Sequence, residues 1–133
     1  SDVRLADALR EAGVEVVVLS GYLRKLGPAT LSAYAHRILN VHPALLPRYG
    51  GQGMYGRRVH EAVAAAGEAV SGASVHLVDE EYDNGPVLAQ RVVPLAPGDT
   101  AEEIERKVTA VEPSLLVETL GRIASGALTL PGR

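Results

Sequence analysis

The most informative stretch of the chain is Ile38-Leu39-Asn40-Val41-His42-Pro43-Ala44-Leu45-Leu46-Pro47, in which a short apolar run gives way to two prolines. Residues 38–41 are typical of a strand, and the prolines after it favour a loop. Alternate residues of a strand point to the same face, so we expect Asn40 and His42 to face one pocket. An amide that donates hydrogen bonds beside a titratable imidazole indicates an enzyme.

Strands and helices alternate outward from this stretch. Apolar runs predict further strands over 14–19, 74–78, 87–95 and 127–130. Periodic apolar residues and end signals predict helices over 1–12, 28–35, 54–66 and 100–125. Pro113 is expected to kink the last helix or to divide it. This order predicts an α/β fold with an open, mostly parallel twisted sheet and flanking helices.

Composition narrows the classes of function. The length fits a single domain over residues 1–133, and the absence of Cys excludes disulfides, thiolate catalysis and Cys-zinc sites. No two His have a ligating helical spacing, so no metal is expected. The net charge is −3 without a basic stripe, and no apolar run is long enough to span a bilayer. We therefore expect a cytoplasmic protein without nucleic-acid or membrane partners.

An acidic segment offers a third polar group for the same site. Asp83 follows the strand at 74–78 and precedes the turn Asn84-Gly85-Pro86. Ligands of open α/β sheets bind at the carboxyl ends of strands, where Asn40 and His42 also lie. A carboxylate near His42 would favour its imidazolium, which beside Asn40 would stabilise a developing oxyanion. Such a set, without a nucleophilic Ser or Cys, suggests direct transfer of an acyl-like group.

The remaining candidates are less specific. Of the other histidines, His36 and His60 are expected near the surface, and His76 is a candidate for supporting the site from a neighbouring strand. Arg24 and Lys25, after the strand at 14–19, fit either a solvated connector or a clamp on an anionic or carbonyl-bearing ligand.

Four segments of the chain match, in order, the motifs of one family. The segments 21–26, 40–47, 72–78 and 83–86 resemble the patterns G-[FY]-[ML]-R-x-L, N-[IV]-H-P-[SA]-L-L-P, G-x-[ST]-V-H-x-V and D-x-G-P. On these residues the chain resembles the phosphoribosylglycinamide formyltransferases over nearly all of its length. The resemblance implies their Rossmann-like formyltransferase fold, and transfer of a formyl group from 10-formyltetrahydrofolate to the amine of glycinamide ribonucleotide in purine biosynthesis.

The resemblance also implies roles for individual residues. The catalytic trio would be Asn40, His42 and Asp83. The folate co-substrate would be held by Leu23, Arg24, Lys25, Leu26, Leu31, Asn40, Val78, Asp79, Glu80, Glu81, Tyr82 and Asp83. The small-molecule substrate glycinamide ribonucleotide would be contacted by Pro43, Thr109 and Glu112. The chain departs from the family at Pro113, where a His is common.

Three alternatives stay open at this point. Formyltetrahydrofolate hydrolases resemble the chain around the same residues and use water as the acceptor. Methionyl-tRNA formyltransferases usually have Ala in place of Pro43 and add a basic C-terminal domain. An inactive folate-binding fragment is an alternative of another class, because the strand and the Gly-x-Gly-Ser-Asn phosphate loop that open the family's sequences have no match here. We therefore expect an N-terminally truncated catalytic domain, its C-terminal two thirds, whose exposed strand edges favour a homodimer.

Overall fold

The computed structural model describes residues 1–20, 26–79 and 85–132, without the side chain of Ser20. These residues form four helices and four strands. In chain order they are α1 (Asp2–Glu11), β1 (Val17–Ser20), α2 (Pro28–Ala33), β2 (Ile38–His42), α3 (Arg57–Ala65), β3 (Val70–Leu77), β4 (Val87–Pro94) and α4 (Ala101–Ser125).

The four strands form one sheet in the order β1-β2-β3-β4. The predicted α/β class, an open sheet with flanking helices, is confirmed. The expectation of mainly parallel strands needs correction, because β1 and β2 are parallel while β2–β3 and β3–β4 are antiparallel. Residues 43–56 form a long loop before α3, and a connection of this length permits either direction of β3 against β2.

β2 lies inside the sheet and is buried along its whole length. Leu39 and Val41 belong to the main apolar cluster, which β2 and β3 share with α3 and α4. Ile38, on the other face by strand alternation, belongs to a second cluster with Leu26 and Val78. Asn40 and His42 have the same parity as Ile38, so the strand turns its polar pair away from the main core.

Of the two alternatives at Pro113, a kink or a division, the division into two segments is wrong, because α4 continues through Pro113 as a single helix. A proline inside a helix costs roughly 3 kcal/mol. Pro113 is exposed, and the cost is offset by burial of Ile104, Val108 and Leu115 along the opposite side. A capping box of Thr100 and Glu103 is present at the start of the helix.

Residues 127–130 do not form the predicted strand. Gly126 ends α4 in the left-handed conformation, at a φ of 83°. The Leu128 N–H then donates to the Arg122 carbonyl oxygen at 3.0 Å. The segment therefore completes the C-terminal cap of α4 instead of pairing with the sheet. Among the described helices, none is long and apolar enough to cross a bilayer.

Candidate active site

The predicted amide and imidazole both lie at the end of β2. Asn40 is 9% exposed and His42 is 4% exposed. Across the antiparallel pairing, Asn40 stands opposite His76 and His42 opposite Ser74. β2 thus presents two polar side chains on one face, each beside a polar residue of β3.

His76 links Asn40 to the backbone of β3. Its Nε2 lies 3.1 Å from Asn40 Nδ2, and its Nδ1 lies 3.1 Å from the Leu77 carbonyl oxygen. The His76 ring is fully buried. The expectation that His76 supports the site therefore has a definite geometry, a hydrogen bond to the predicted catalytic amide.

His42 is held by the loop that follows it. Its Nε2 lies 2.7 Å from the carbonyl oxygen of Tyr49. A carbonyl oxygen only accepts, so Nε2 carries the proton and donates it. Tyr49 has a φ of 59°, a left-handed conformation that is uncommon for a residue with a side chain. The loop therefore adopts an energetically less favourable backbone conformation at Tyr49, the residue whose carbonyl oxygen accepts from His42.

Ser74 fastens that loop to the sheet. Its hydroxyl, fully buried, donates to the Ala44 carbonyl oxygen at 2.7 Å and accepts from the Leu46 N–H at 3.0 Å. The Gln90 amide nitrogen of β4 bonds both Ser74 Oγ and the Leu46 carbonyl oxygen. Sequence reasoning assigned no role to Ser74 or Gln90, and only the position of Ser74 inside a family motif marked it.

Close packing of the backbone explains why glycine occupies position 85 in the D-x-G-P motif. A Cβ added at Gly85 would collide with the carbonyl oxygen of Leu77, the same oxygen that bonds His76. The chain also returns here to β3, since the Leu77 N–H donates to the Pro86 carbonyl oxygen at 2.9 Å. The glycine therefore permits a close approach beside the His76 hydrogen bond.

The structure describes only some of the residues that are expected to bind the folate co-substrate. Leu26, Leu31 and Val78 come together in the second apolar cluster, on the Asn40 face of β2. Asp79 follows β3 and is exposed. The remaining members, Leu23, Arg24, Lys25, Glu80, Glu81, Tyr82 and Asp83, lie outside the described residues. The third member of the predicted trio, Asp83, therefore stays a prediction.

The expected substrate residues lie on two elements. Pro43 directly follows β2 and is half-buried, while Thr109 is exposed on α4. Glu112, one turn later on α4, is half-buried, and this burial raises the pKa of its carboxyl. Within the described part of the chain, no hydrogen bond or ion pair joins Thr109 or Glu112 to Asn40 or His42, so their grouping with the site stays a prediction.

His60 is not near the surface, contrary to expectation. It is 2% exposed on α3, and its Nδ1 has no hydrogen-bond partner among the described residues. Burial lowers its pKa, Arg57 and His42 act in the same direction, and Glu105 opposes them. α3 begins three residues later than predicted, after Gly56, and His60 lies on its buried side with Val59 and Val63.

Comparison with known proteins assigns the chain to a family. Residues 1–120 match the formyl transferase family. The chain is 46% identical over 123 residues to the chloroplastic phosphoribosylglycinamide formyltransferase of Arabidopsis thaliana, covering 92% of the chain and 42% of that protein. It is 41% identical to the phosphoribosylglycinamide formyltransferase of Mycobacterium tuberculosis, covering 99% of the chain and 59% of that protein.

Solved structures show the same fold. Glycinamide ribonucleotide transformylase 1 from Symbiobacterium toebii superposes with a TM-score of 0.87 at 36% identity, over 99% of the chain and 60% of that structure. A formyltetrahydrofolate deformylase from Pseudomonas syringae superposes with a TM-score of 0.78 at 30% identity, over 88% of the chain and 38% of that structure. The chain belongs to the formyl transferase family. It spans 42% and 59% of the length of the two curated relatives described above.

Proposed function

We propose that the protein carrying this chain is a phosphoribosylglycinamide formyltransferase. It would transfer a formyl group from 10-formyltetrahydrofolate to the amine of glycinamide ribonucleotide, in purine biosynthesis. The observation that carries the proposal is the buried pair Asn40 and His42 at the end of β2, inside a chain whose relatives bear that name.

The described residues fit the folate co-substrate. Leu26, Leu31 and Val78 supply an apolar wall on the face of β2 that carries Asn40, and Asn40 supplies an amide donor at its edge. An apolar wall with few placed polar groups is the usual composition of a small-molecule site. The co-substrate would bring the formyl group, and the chain would bind and orient it.

Asn40 and His42 would act on the oxygen of that formyl group. An amide N–H aimed at the position where negative charge develops stabilises the transition state more than the ground state. His42 would add a second donor, and Asp83 would complete the catalytic trio that the family resemblance implies. A hydrogen bond fixes each donor, from Asn40 to His76 and from His42 to the Tyr49 carbonyl oxygen, so little reorganisation is needed when charge develops.

Glu112, Thr109 and Pro43 would contact the acceptor substrate, glycinamide ribonucleotide. Since burial raises the pKa of Glu112, this carboxyl holds a proton more readily than an exposed one. We further propose a cytoplasmic homodimer without a nucleic-acid partner. The Arabidopsis relative is named as chloroplastic.

A matched pair of histidine substitutions tests the proposal. His42→Asn removes the buried imidazole, while His36→Asn makes the same change at an exposed position whose φ of 60° suits asparagine. In the protein as its gene encodes it, we expect His42→Asn to lower kcat/KM for formyl transfer by about 100- to 1,000-fold. His36→Asn should leave it within about twofold. Equal activity of the two variants would contradict the proposal.

Hydrolysis of the co-substrate is the second candidate, favoured by the superposition on the Pseudomonas deformylase. Formate release and formylated ribonucleotide are measured with and without glycinamide ribonucleotide. A transferase forms the formylated product and releases little formate. A hydrolase releases formate at the same rate in both cases. Binding of a folate analogue without either product would instead identify a binding module without activity.

A further inference from the structure

We propose that His76 is a positioning residue that fixes which way the Asn40 carboxamide faces. The inference rests on the proposed function, since it assigns Asn40 its donor role in formyl transfer. Its geometry is the chain of hydrogen bonds from the Leu77 carbonyl oxygen through the His76 ring to Asn40.

The His76 ring has one chemically consistent tautomer. The Leu77 carbonyl oxygen only accepts, so the Nδ1 that faces it at 3.1 Å carries a proton. The ring is fully buried, which disfavours a charged imidazolium. Nε2 is therefore left as an acceptor, and the Asn40 atom at 3.1 Å from it is the amide nitrogen.

This tautomer selects one of the two orientations of Asn40. A rotated amide would place its oxygen against the Nε2 lone pair, an acceptor facing an acceptor at a fully buried ring. The observed orientation commits one N–H of Asn40 to His76. The second N–H on the same nitrogen remains for an oxygen of the substrate.

The backbone holds the His76 ring in place. Asn40 and His76 are direct partners in the antiparallel pairing of β2 and β3, so their side chains are neighbours by register. The pairing of β3 with β4 shifts register between Val75 and His76. Such irregularities re-aim a side chain and recur beside active sites.

Two substitutions separate positioning from a merely structural role. In His76→Asn, the amide can reproduce the donor at Nδ1 but has no atom at the Nε2 position. In His76→Gln, the side-chain oxygen can reach the Nε2 position and accept from Asn40. We expect His76→Asn to lower kcat for formyl transfer by about 10- to 100-fold with a smaller change in KM, and His76→Gln to recover most of the loss.

A double-mutant cycle with Asn40→Ala provides the decisive kinetic result. If His76 acts through Asn40, His76→Asn should cost little further kcat once Asn40 is absent. Thr119→Val is the matched control, because it removes a fully buried hydroxyl and its hydrogen bond from α4, away from Asn40. It should lower the unfolding midpoint without changing kcat. Additive losses for His76→Asn and Asn40→Ala would overturn the proposal.

Nitrogen-15 NMR of the wild-type protein tests the geometry without any assay of activity. We expect a His76 ring protonated at Nδ1 and bare at Nε2, with a coupling from the Asn40 amide across the hydrogen bond. A ring protonated at Nε2 would overturn the inference even if formyl transfer is confirmed. A protein that transfers no formyl group but shows the expected ring would instead overturn the proposed function and leave this orientation of Asn40 established.

Discussion

The two faces of β2 differ in what they do. Leu39 and Val41 pack into the main apolar cluster against α3 and α4, while Asn40 and His42 face the other way and hydrogen-bond to His76 and the Tyr49 carbonyl. Alternation along one strand thus separates residues that stabilise the sheet from residues suited to chemistry. Since both sets share one backbone, rigidity on the apolar face helps to fix the polar pair.

The largest effect on stability is expected on the apolar face. Leu39 is fully buried, so Leu39→Ala should lower the free energy of unfolding by about 2–5 kcal/mol through lost burial and a residual cavity. Urea denaturation measures this change. Val117→Ala, at an exposed position of α4, is the control and should have almost no effect. A loss of kcat per folded molecule comparable to that of Asn40→Ala would show that the two faces are not separable.

On the polar face, Asn40→Ala should reverse this pattern. Removal of one oxyanion donor typically raises a barrier by about 3–4 kcal/mol, so kcat should fall by about 100- to 1,000-fold. Stability should fall by only about 1–3 kcal/mol, because His76 Nε2 loses its partner inside the protein. Steady-state kinetics and urea denaturation measure both quantities. Gln52→Ala, which removes an exposed amide from the loop, is the control. Unchanged kcat in Asn40→Ala would refute the donor role.

Ser74→Ala should affect both faces moderately. The substitution removes the hydroxyl that joins Ala44, Leu46 and Gln90, so we expect a loss of about 1–3 kcal/mol in the free energy of unfolding. The loosened loop should also shift the Tyr49 carbonyl that holds His42, which should lower kcat/KM by about tenfold. Ser32→Ala, on the exposed side of α2, should change neither quantity. Wild-type kinetics in Ser74→Ala would show that His42 does not depend on this loop.

The smallest effect is expected at the Asp2 carboxylate, which joins α1 to α2 beside the second apolar cluster. The Asp2 carboxylate accepts from the Ala29 N–H and from the N–H and hydroxyl of Thr30, and the hydroxyl bond to Thr30 is the main cause of a pKa below the ordinary value. Because the native pKa lies below the unfolded one, this contribution is present above the unfolded value of about 3.9 and is lost as the pH falls through the native pKa.

Thermal unfolding of wild type and Asp2→Asn across pH checks this sign. The wild type should be slightly more stable at neutral pH, and the difference should disappear in acid. Asp7→Asn, in an exposed ion pair with Arg10, should show a weaker pH dependence. A stability difference for Asp2→Asn that persists in strong acid would contradict an ionised carboxylate as its source.

Local patterns predicted most elements because they depend on neighbours in sequence. The four helices and the four strands, in their order along the chain, follow from apolar periodicity, capping residues and glycines. The errors concern contacts that the local pattern does not state. Residues 127–130 have a strand-like composition but cap α4, and His60 has the composition of a surface helix residue but is buried. A polar residue's burial depends on what packs over it, which its own sequence neighbourhood does not state.

Periodicity and ordered motifs along the chain were enough to predict the α/β class, the strand that carries Asn40 and His42, and the family to which the chain belongs. The three-dimensional structure was needed to establish that β3 runs antiparallel to β2. It was also needed to establish that His76 stands opposite Asn40 and that Ser74 fastens the loop under His42. The physical reason is register: hydrogen bonds between strands join residues far apart in the chain, and a shift by one position would turn each of these side chains to the opposite face.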